Sequence, residues 1–338
     1  MKSDFAQILL QWFDLNERDL PWRRTRDPYS VWLSEIILQQ TRVQQGTDYW
    51  HRFVQRFPDV ASLAAASEDQ VLRLWQGLGY YSRARNLHAA AQQVVAMGGF
   101  PHTAAALRQL KGVGDYTAAA IASIAFNEDV AAVDGNVLRV LSRYYGIDVP
   151  INTTEGHRTL TALAQSLLPH GQAGRYNQAL MDFGALQCTP QAARCNDCPL
   201  LESCQAFRTG RVAELPVKQQ RTHVKHRALA YIYIRCNGET AIHRRGAGDI
   251  WQGLWEPFLL ADDQTDVRHP LPPGAVLLAK DVKHVLTHRV LLADFYYLQL
   301  TERPLLSDDY KWVAESALDD YAKPRLIERL LEMVPEKG

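Results

Sequence analysis

The chain has 338 residues, of which 47% are hydrophobic, and its Lys+Arg and Asp+Glu totals are equal at 37 each. At roughly 150 residues per domain this length suggests about two domains with a sizeable core, which excludes global disorder. Balanced charge excludes a polyanion partner held by bulk electrostatics, so any nucleic acid must be gripped by local basic clusters.

Five cysteines are present, and four of them are clustered near residue 200. Evenly spread disulfide spacing is absent, so a reducing cytoplasm is expected and not secretion. Cys236 is read as a small buried apolar residue. Near the start, Asp4 and Asp14 flank the short apolar stretch Ile8-Leu9-Leu10, which is no signal peptide. No run approaches the roughly 18 apolar residues of a membrane span.

Up to about residue 210, apolar residues recur at three- and four-residue spacing and predict helices. Breaks are expected at Pro28, Pro58-Asp59, Gly77-Leu78-Gly79, Gly98-Gly99, Gly112 to Gly114 and Pro150. Ser30, Ser67 and Thr103 are read as helix caps. Alanine-rich stretches at 61–66 and 118–125 predict close helix packing. Two basic runs, Arg18/Arg23/Arg24/Arg26 and Lys218/Arg221/Lys225/Arg227, are either DNA contacts or solvated faces. After Glu214-Leu215-Pro216 the pattern changes. Alternation over 228–234 and 290–300 predicts strands, and 324–334 predicts a helix. The expected domains are a helical one over 1–215, a basic linker over 216–227 and an α/β domain over 228–338.

Four constellations carry candidate chemistry. On a helix through Tyr29 to Thr41, Glu35 shares its face with Val31, Trp32, Leu38 and Gln39. A carboxyl there is either a poorly hydrated general acid or a side chain reaching past its neighbours to solvent. Leu110-Lys111-Gly112-Val113-Gly114 reads as a turn between helices at 103–110 and 115–126. Its glycines permit positive φ and close ligand approach, and with the second helix's N-terminus they make either an anion site or an ordinary helix–helix connection. Asp134, before Gly135-Asn136, reads as a helix N-cap whose fixed carboxylate can also face a developing cation. The spacing Cys188-x6-Cys195-x2-Cys198-x5-Cys204 suits an iron–sulfur cluster or a zinc ion. Zinc sites usually show two Cys-x2-Cys pairs, and only one is present.

These residues together resemble the MutY-type adenine DNA glycosylase family of the helix-hairpin-helix superfamily. The resemblance is carried by Leu20-Pro21-Trp22-Arg23, Trp32-Leu33-Ser34-Glu35, Leu38-Gln39-Gln40-Thr41 and the run from Gly77 to Leu87. It continues through Gly112-Val113-Gly114-Asp115-Tyr116-Thr117-Ala118, Val133-Asp134-Gly135-Asn136-Val137, the run from Asn177 to Ala185 and the cysteine loop. It implies a multidomain α plus α/β protein: an all-helical glycosylase domain with a [4Fe-4S] loop at 188–204, then a Nudix-like domain that reads the 8-oxoguanine strand.

By that resemblance, Glu35 is the general acid that protonates adenine N7, and Asp134 stabilises the oxocarbenium-like sugar or bonds to it. Tyr116 hydrogen-bonds within this pair, and Asn136 helps to place the nucleotide. Tyr80 matches the wedge beside the damaged base, Gln39 and Gln40 match base-contacting residues, and Arg23, Gly112 and Gly114 join the DNA contacts. Cys188, Cys195, Cys198 and Cys204 are the implied cluster ligands. The partner implied is duplex DNA with A opposite 8-oxoguanine or G. A monomer on the nucleoid is expected, with no membrane partner.

One position separates sub-families, and one loop departs from the family pattern. Bifunctional relatives place a lysine nucleophile where this chain has Tyr116, which implies a glycosylase without strong lyase activity. The family's Phe-Ser-His loop is here Leu286-Thr287-His288, so the aromatic is lost while Thr287 and His288 keep candidate donors. No Glu-rich magnesium box is found, so the second domain is expected to bind without hydrolysing. The competing readings are an endonuclease III-like glycosylase/lyase for oxidised pyrimidines, a non-catalytic iron–sulfur DNA-binding protein and a nucleotide-pyrophosphate hydrolase.

Overall fold

The computed structural model describes residues 2–219, 225–265 and 267–336. Arg221, in the second basic run, lies outside the described residues. The chain folds as two compact units, Met1–Ala65 with Asn86–Gln220, and Ala66–Arg85 with Arg221–Gly338. Among the described residues no helix is long and apolar enough to cross a membrane.

The helices are α1 (Lys2–Asn16), α2 (Pro28–Leu38), α3 (Val43–Arg56), α4 (Val60–Ala65), α5 (Glu68–Trp75), α6 (Ser82–Ala96) and α7 (Ala104–Leu107). They continue with α8 (Asp115–Phe126), α9 (Gly135–Tyr145), α10 (Thr154–Leu167), α11 (Ala173–Asp182), α12 (Gln205–Arg208) and α13 (Arg325–Leu331). A five-residue π-turn, Phe183–Gln187, follows α11.

In the first unit α2 is the central rod. Eight of its eleven residues are buried, from Tyr29 through Ile37 apart from Glu35, the pattern of a helix enclosed on nearly all sides. Its start differs from the sequence expectation. Asp27 is the cap, accepting a bond from Ser30 N at 2.8 Å, with Pro28 in the first turn. Ser30 is therefore a buried helical residue. Ser67 and Thr103 do cap, and Ser67 forms a capping box with Gln70.

α8 spans the expected residues, and its Thr117 to Ser123 stretch is buried. The small side chains let neighbouring helices come close. A Cβ on Gly174 of α11 would stand 2.6 Å from the Ser123 carbonyl oxygen. A second core joins α1, α9, α10 and α11 through Phe5, Leu9, Phe13, Val137, Leu141, Leu160, Tyr176 and Phe183.

In the second unit six strands form one mixed sheet: β1 (Lys225–Cys236), β2 (Glu239–Arg244), β3 (Trp255–Asp262), β4 (Val276–Leu286), β5 (Arg289–Leu300) and β6 (Tyr310–Ala314). The order is β4-β5-β1-β3-β2-β6, with β1 and β5 parallel. Alternation in β1 sends Leu229 and Tyr231 to a core with α13, and Ile232 and Ile234 to the opposite face. Both expected strands and the C-terminal helix are present, and Cys236 is buried.

The second basic run is not uniformly solvated. β1 begins at Lys225, and Arg227 is buried with Nε 2.9 Å from Asp262 and Nη1 2.6 Å from Asp249. A guanidinium at that depth is tolerated because two carboxylates satisfy it.

One contact makes the packing testable. A Cβ on Gly184, in the π-turn, would lie 2.6 Å from Asn136 Cβ at the start of α9. Gly184→Ala should lower stability by about 1–3 kcal/mol through overpacking, read as a lower urea midpoint with unchanged slope. An unaltered midpoint would show that the two elements can separate freely.

Candidate active site and cysteine loop

A cavity of about 440 Å³ opens in the helical unit, within the size range of small-molecule sites. Glu35, Tyr116, Asp134 and Asn136 all line it, together with Arg23, Gln39 and Gln40. Residues far apart in sequence therefore share one chamber. α2 supplies Glu35, α8 supplies Tyr116 and the start of α9 supplies Asp134.

The Tyr116 hydroxyl donates to Glu35 Oε2 at 2.7 Å and also lies 3.3 Å from Met181 Sδ. Burial pushes the Glu35 carboxyl up from 4.5 to about 7; the tyrosine bond opposes this, the nearby Asp134 charge adds to it and Arg23 opposes it. A neutral carboxylic acid at physiological pH is thus available as a proton donor.

Asp134 is held differently. Its Oδ1 accepts from the backbone N–H groups of Asn136 and Val137, both at 2.8 Å, and Oδ2 accepts from Asn136 Nδ2 at 2.7 Å. Burial outweighs these bonds and Arg139, so the Asp134 pKa is raised above the ordinary aspartate value. The N-cap reading holds, and the same bonds fix the carboxyl group at the positive end of α9.

Arg23 does line the cavity, but its guanidinium is committed. It meets Asp182 at 2.7 and 2.8 Å, and Arg18 bonds the same carboxylate. Asp182 is fully buried, and the two arginines hold its carboxyl below the usual range against the effect of burial. Arg24 pairs with Asp19. The first basic run is therefore largely matched by acids. Sequence reading missed Arg18, Met181 and Asp182 as parts of this site. Asp182 lies inside the Asn177 to Ala185 run, but nothing in its spacing signals two cations 164 and 159 positions away.

The glycine hairpin is present, with one change. Gly112 has φ +74°, whereas Gly114 is extended at φ −91° and caps α8. A Cβ on Gly114 would meet nothing within 4 Å, so its open face leaves room for an approaching ligand. Gln39 Nε2 lies 3.2 Å from Thr117 Oγ1, and the exposed Gln40 has φ +59°. A positive φ away from glycine is a local strain associated with functional loops.

In the second unit, Thr287 and His288 form the two-residue turn between β4 and β5, and both are exposed. Tyr80 is half-exposed at φ +47°, and its hydroxyl hydrogen-bonds the Thr287 hydroxyl.

The four clustered cysteines are free thiols lining one cavity with Arg143 and Gln187. Arg143 is buried, with Nη1 3.4 Å from Cys188 Sγ and 2.7 Å from the Thr189 carbonyl. Among the described residues no group of three or more His, Cys, Asp or Glu is placed to hold a metal ion. Four thiols bordering one cavity beside a buried cation offer the donor chemistry of a thiolate-held metal group. Arg139 ties this loop to the cavity: Nε bonds the Cys188 carbonyl at 2.8 Å, and Nη2 bonds Asn136 Oδ1 at 2.8 Å and the Gly184 carbonyl at 2.6 Å.

Comparison with known proteins agrees with this arrangement. A family model described as HhH-GPD superfamily base excision DNA repair protein matches residues 33–166, and a NUDIX domain model matches 230–333. An adenine DNA glycosylase of Schizosaccharomyces pombe is 36% identical, covering 93% of this chain and 86% of that protein. One of Mus musculus is 45% identical over 67% of this chain and 46% of its own length, so the chain spans about half of that relative. A solved thermostable thymine-DNA glycosylase aligns with TM-score 0.57 and 30% identity, covering 62% of this chain and 97% of that one. With two ordered family matches and a relative covered over most of its length, the chain belongs to the adenine DNA glycosylase family.

Proposed function

We propose that this protein is a monofunctional DNA N-glycosylase that removes adenine mispaired with 8-oxoguanine or G in duplex DNA. The observation that carries the reading is the pair of carboxyl groups, Glu35 and Asp134, lining one cavity in different electrostatic settings. The names of the fission yeast and mouse relatives support the choice of adenine.

The target nucleotide must leave the stack, and a mispair lowers that cost. The Glu35 proton then passes to adenine N7, and the C1′–N9 bond breaks with its electrons going to the base. The cation left on the sugar faces the Asp134 carboxylate. Water adds at C1′ and loses a proton, giving free adenine and an abasic site. Splitting an N-glycosidic bond needs a neutralised leaving base and a stabilised sugar cation, and two carboxyl groups with opposed protonation supply both. Tyr116 orients the Glu35 carboxyl, and Asn136 holds Asp134. The second domain contributes lesion reading through Thr287 and His288. We assign the cysteine loop to a [4Fe-4S] cluster held by Cys188, Cys195, Cys198 and Cys204. When bound, it supplies the thiolate bonds that brace the loop against α9.

Duplexes carrying A opposite 8-oxoguanine, A opposite G, and thymine glycol, heated in alkali after incubation, test the reaction. Scission of the A-strand alone is expected. Glu35→Gln and Asp134→Asn should each lower single-turnover release by at least about 10²-fold while duplex binding persists. Wild-type rates in either variant would refute its role.

The pH profile has a defined sign. Activity needs Glu35 protonated and Asp134 ionised. Rate should rise with pH as Asp134 ionises, above the ordinary aspartate range, and fall through about 7 as Glu35 loses its proton. A rate still climbing at pH 9 would remove Glu35 as the acid.

Because Tyr116 stands where bifunctional relatives carry lysine, borohydride should trap no covalent adduct at a rate matching base release. Trapping at that rate would overturn the monofunctional assignment. For the cluster, metal analysis of anaerobically purified protein should give about four irons per chain, with loss of the visible absorption in Cys198→Ser. One zinc per chain would refute it.

A further inference from the structure

The chain has four methionines. Met97, just past α6, and Met333, just past α13, are exposed. Met181 differs from both. It stands in the last turn of α11, packs against the core shared by α1, α9, α10 and α11, and lines the cavity that holds Glu35 and Asp134. Its Sδ lies 3.3 Å from the Tyr116 hydroxyl, which donates to Glu35 Oε2 at 2.7 Å. The next residue, Asp182, is fully buried and bound by Arg18 and Arg23. This end of α11 is therefore fixed, and the sulfur cannot withdraw with its helix. No step of the proposed reaction uses that sulfur.

A thioether is a weak hydrogen-bond acceptor, and a phenol has one proton to give. Between a carboxyl oxygen at 2.7 Å and a sulfur at 3.3 Å, the carboxyl oxygen takes it. A thioether is also a group that peroxide converts to a sulfoxide, which is polar where the parent side chain was apolar. Met181 is only partly buried. The cavity it borders, of about 440 Å³, leaves a molecule as small as hydrogen peroxide room to reach Sδ.

We propose that Met181 is a modification site: hydrogen peroxide oxidises its thioether to a sulfoxide, which competes with Glu35 for the Tyr116 hydroxyl and slows base release. The sulfur lone pair attacks one peroxide oxygen and the O–O bond breaks. That oxygen stays on sulfur, its proton passes to the departing hydroxide, and water leaves. Sulfur is oxidised by two electrons and the peroxide is reduced. A sulfoxide oxygen accepts more strongly than the carbonyl of a neutral carboxylic acid, so the phenol turns to it. The Glu35 hydroxyl also gains an acceptor that rivals adenine N7 for its proton. A thiol-dependent sulfoxide reductase reverses the step, taking the oxygen off as water. The proposal rests on the glycosylase reading and adds a control on its acid.

The full chain treated with hydrogen peroxide tests this, with only samples of unchanged visible absorption scored. Peptide mass spectrometry reads the sulfoxide at each methionine. In the double variant Met97→Leu, Met333→Leu, single-turnover adenine release should fall at least about tenfold, part of the general-acid contribution, in proportion to sulfoxide at Met181. Methionine sulfoxide reductase should restore the rate, and binding to a duplex with cleavage-resistant 2′-fluoro-adenine should not change. Met181→Leu, scored against its own untreated rate, should lose nothing. The Glu35 carboxyl, identified in nuclear magnetic resonance spectra by its absence in Glu35→Gln, should titrate at higher pH after oxidation, because the tyrosine bond that lowers its pKa is withdrawn. The proposal is overturned if Met181 stays a thioether while Met97 and Met333 of the wild type become sulfoxides. It is equally overturned if oxidised Met181 alters neither rate nor titration, or if treated Met181→Leu slows as much. Adenine release by the untreated wild type is scored separately. Its absence would sink the glycosylase reading, while sulfoxide formation and the Glu35 titration would still decide the fate of Met181.

Discussion

One carboxyl group on an otherwise enclosed helix sets the terms for the helical unit. Glu35 sits on α2 among Tyr29, Val31, Trp32, Leu33, Ile36 and Ile37, all buried. Taking a carboxylate out of water favours its neutral form. The hydrogen-bond donor that meets it is a phenol, which orients the acid without neutralising its charge as a cation would. The helix is thus both core and chemistry. The apolar residues that hold α2 in place are the same ones that keep a proton on Glu35.

Asp134 and Asp182 show what partners do to the same kind of group. Asp182 is fully buried, yet two guanidinium groups keep it charged. Asp134 is held by two backbone N–H groups and a side-chain amide at the start of α9, where the helix field also favours an anion. That arrangement depends on Asn136, which depends in turn on Arg139, whose other bonds reach the Gly184 and Cys188 carbonyls. A cavity carboxylate is therefore braced by a loop distant in sequence. Gly184 permits it, because any side chain there would press on Asn136.

Much of this was legible because it is local. The Asp134 cap, the bounds of α8, the cysteine spacing and the alternation in β1 all follow from neighbours within a few residues. The corrections share the opposite cause, with one exception. Ser30 loses the cap to Asp27 because Pro28 fixes the first turn, a competition between two nearby cap-type residues. Arg227 belongs to a charge run in sequence, but its acids stand 22 and 35 residues away and draw it into the sheet. Arg18, Arg23 and Asp182 are invisible as a set for the same reason. The β1–β2 hairpin had a readable signal, Asn237-Gly238, both left-handed in the structure. Nothing comparable announced β4, whose residues are mostly exposed or half-exposed and show no strict alternation.

Charge pairing also explains why Arg23 can border the cavity without abolishing the acid. A free guanidinium beside Glu35 would favour the carboxylate and strip its proton. Arg23 does oppose the raised value, but burial outweighs it. Its Nη1 and Nη2 are both directed at Asp182, and Arg18 helps to anchor that carboxylate. Two buried acids in one unit thus diverge by their surroundings, one held charged by two arginines and one pushed towards its neutral form by burial without a committed cation. Composition records only that cations and acids balance over the whole chain; the division of labour between the acids is set by which of them the arginines reach.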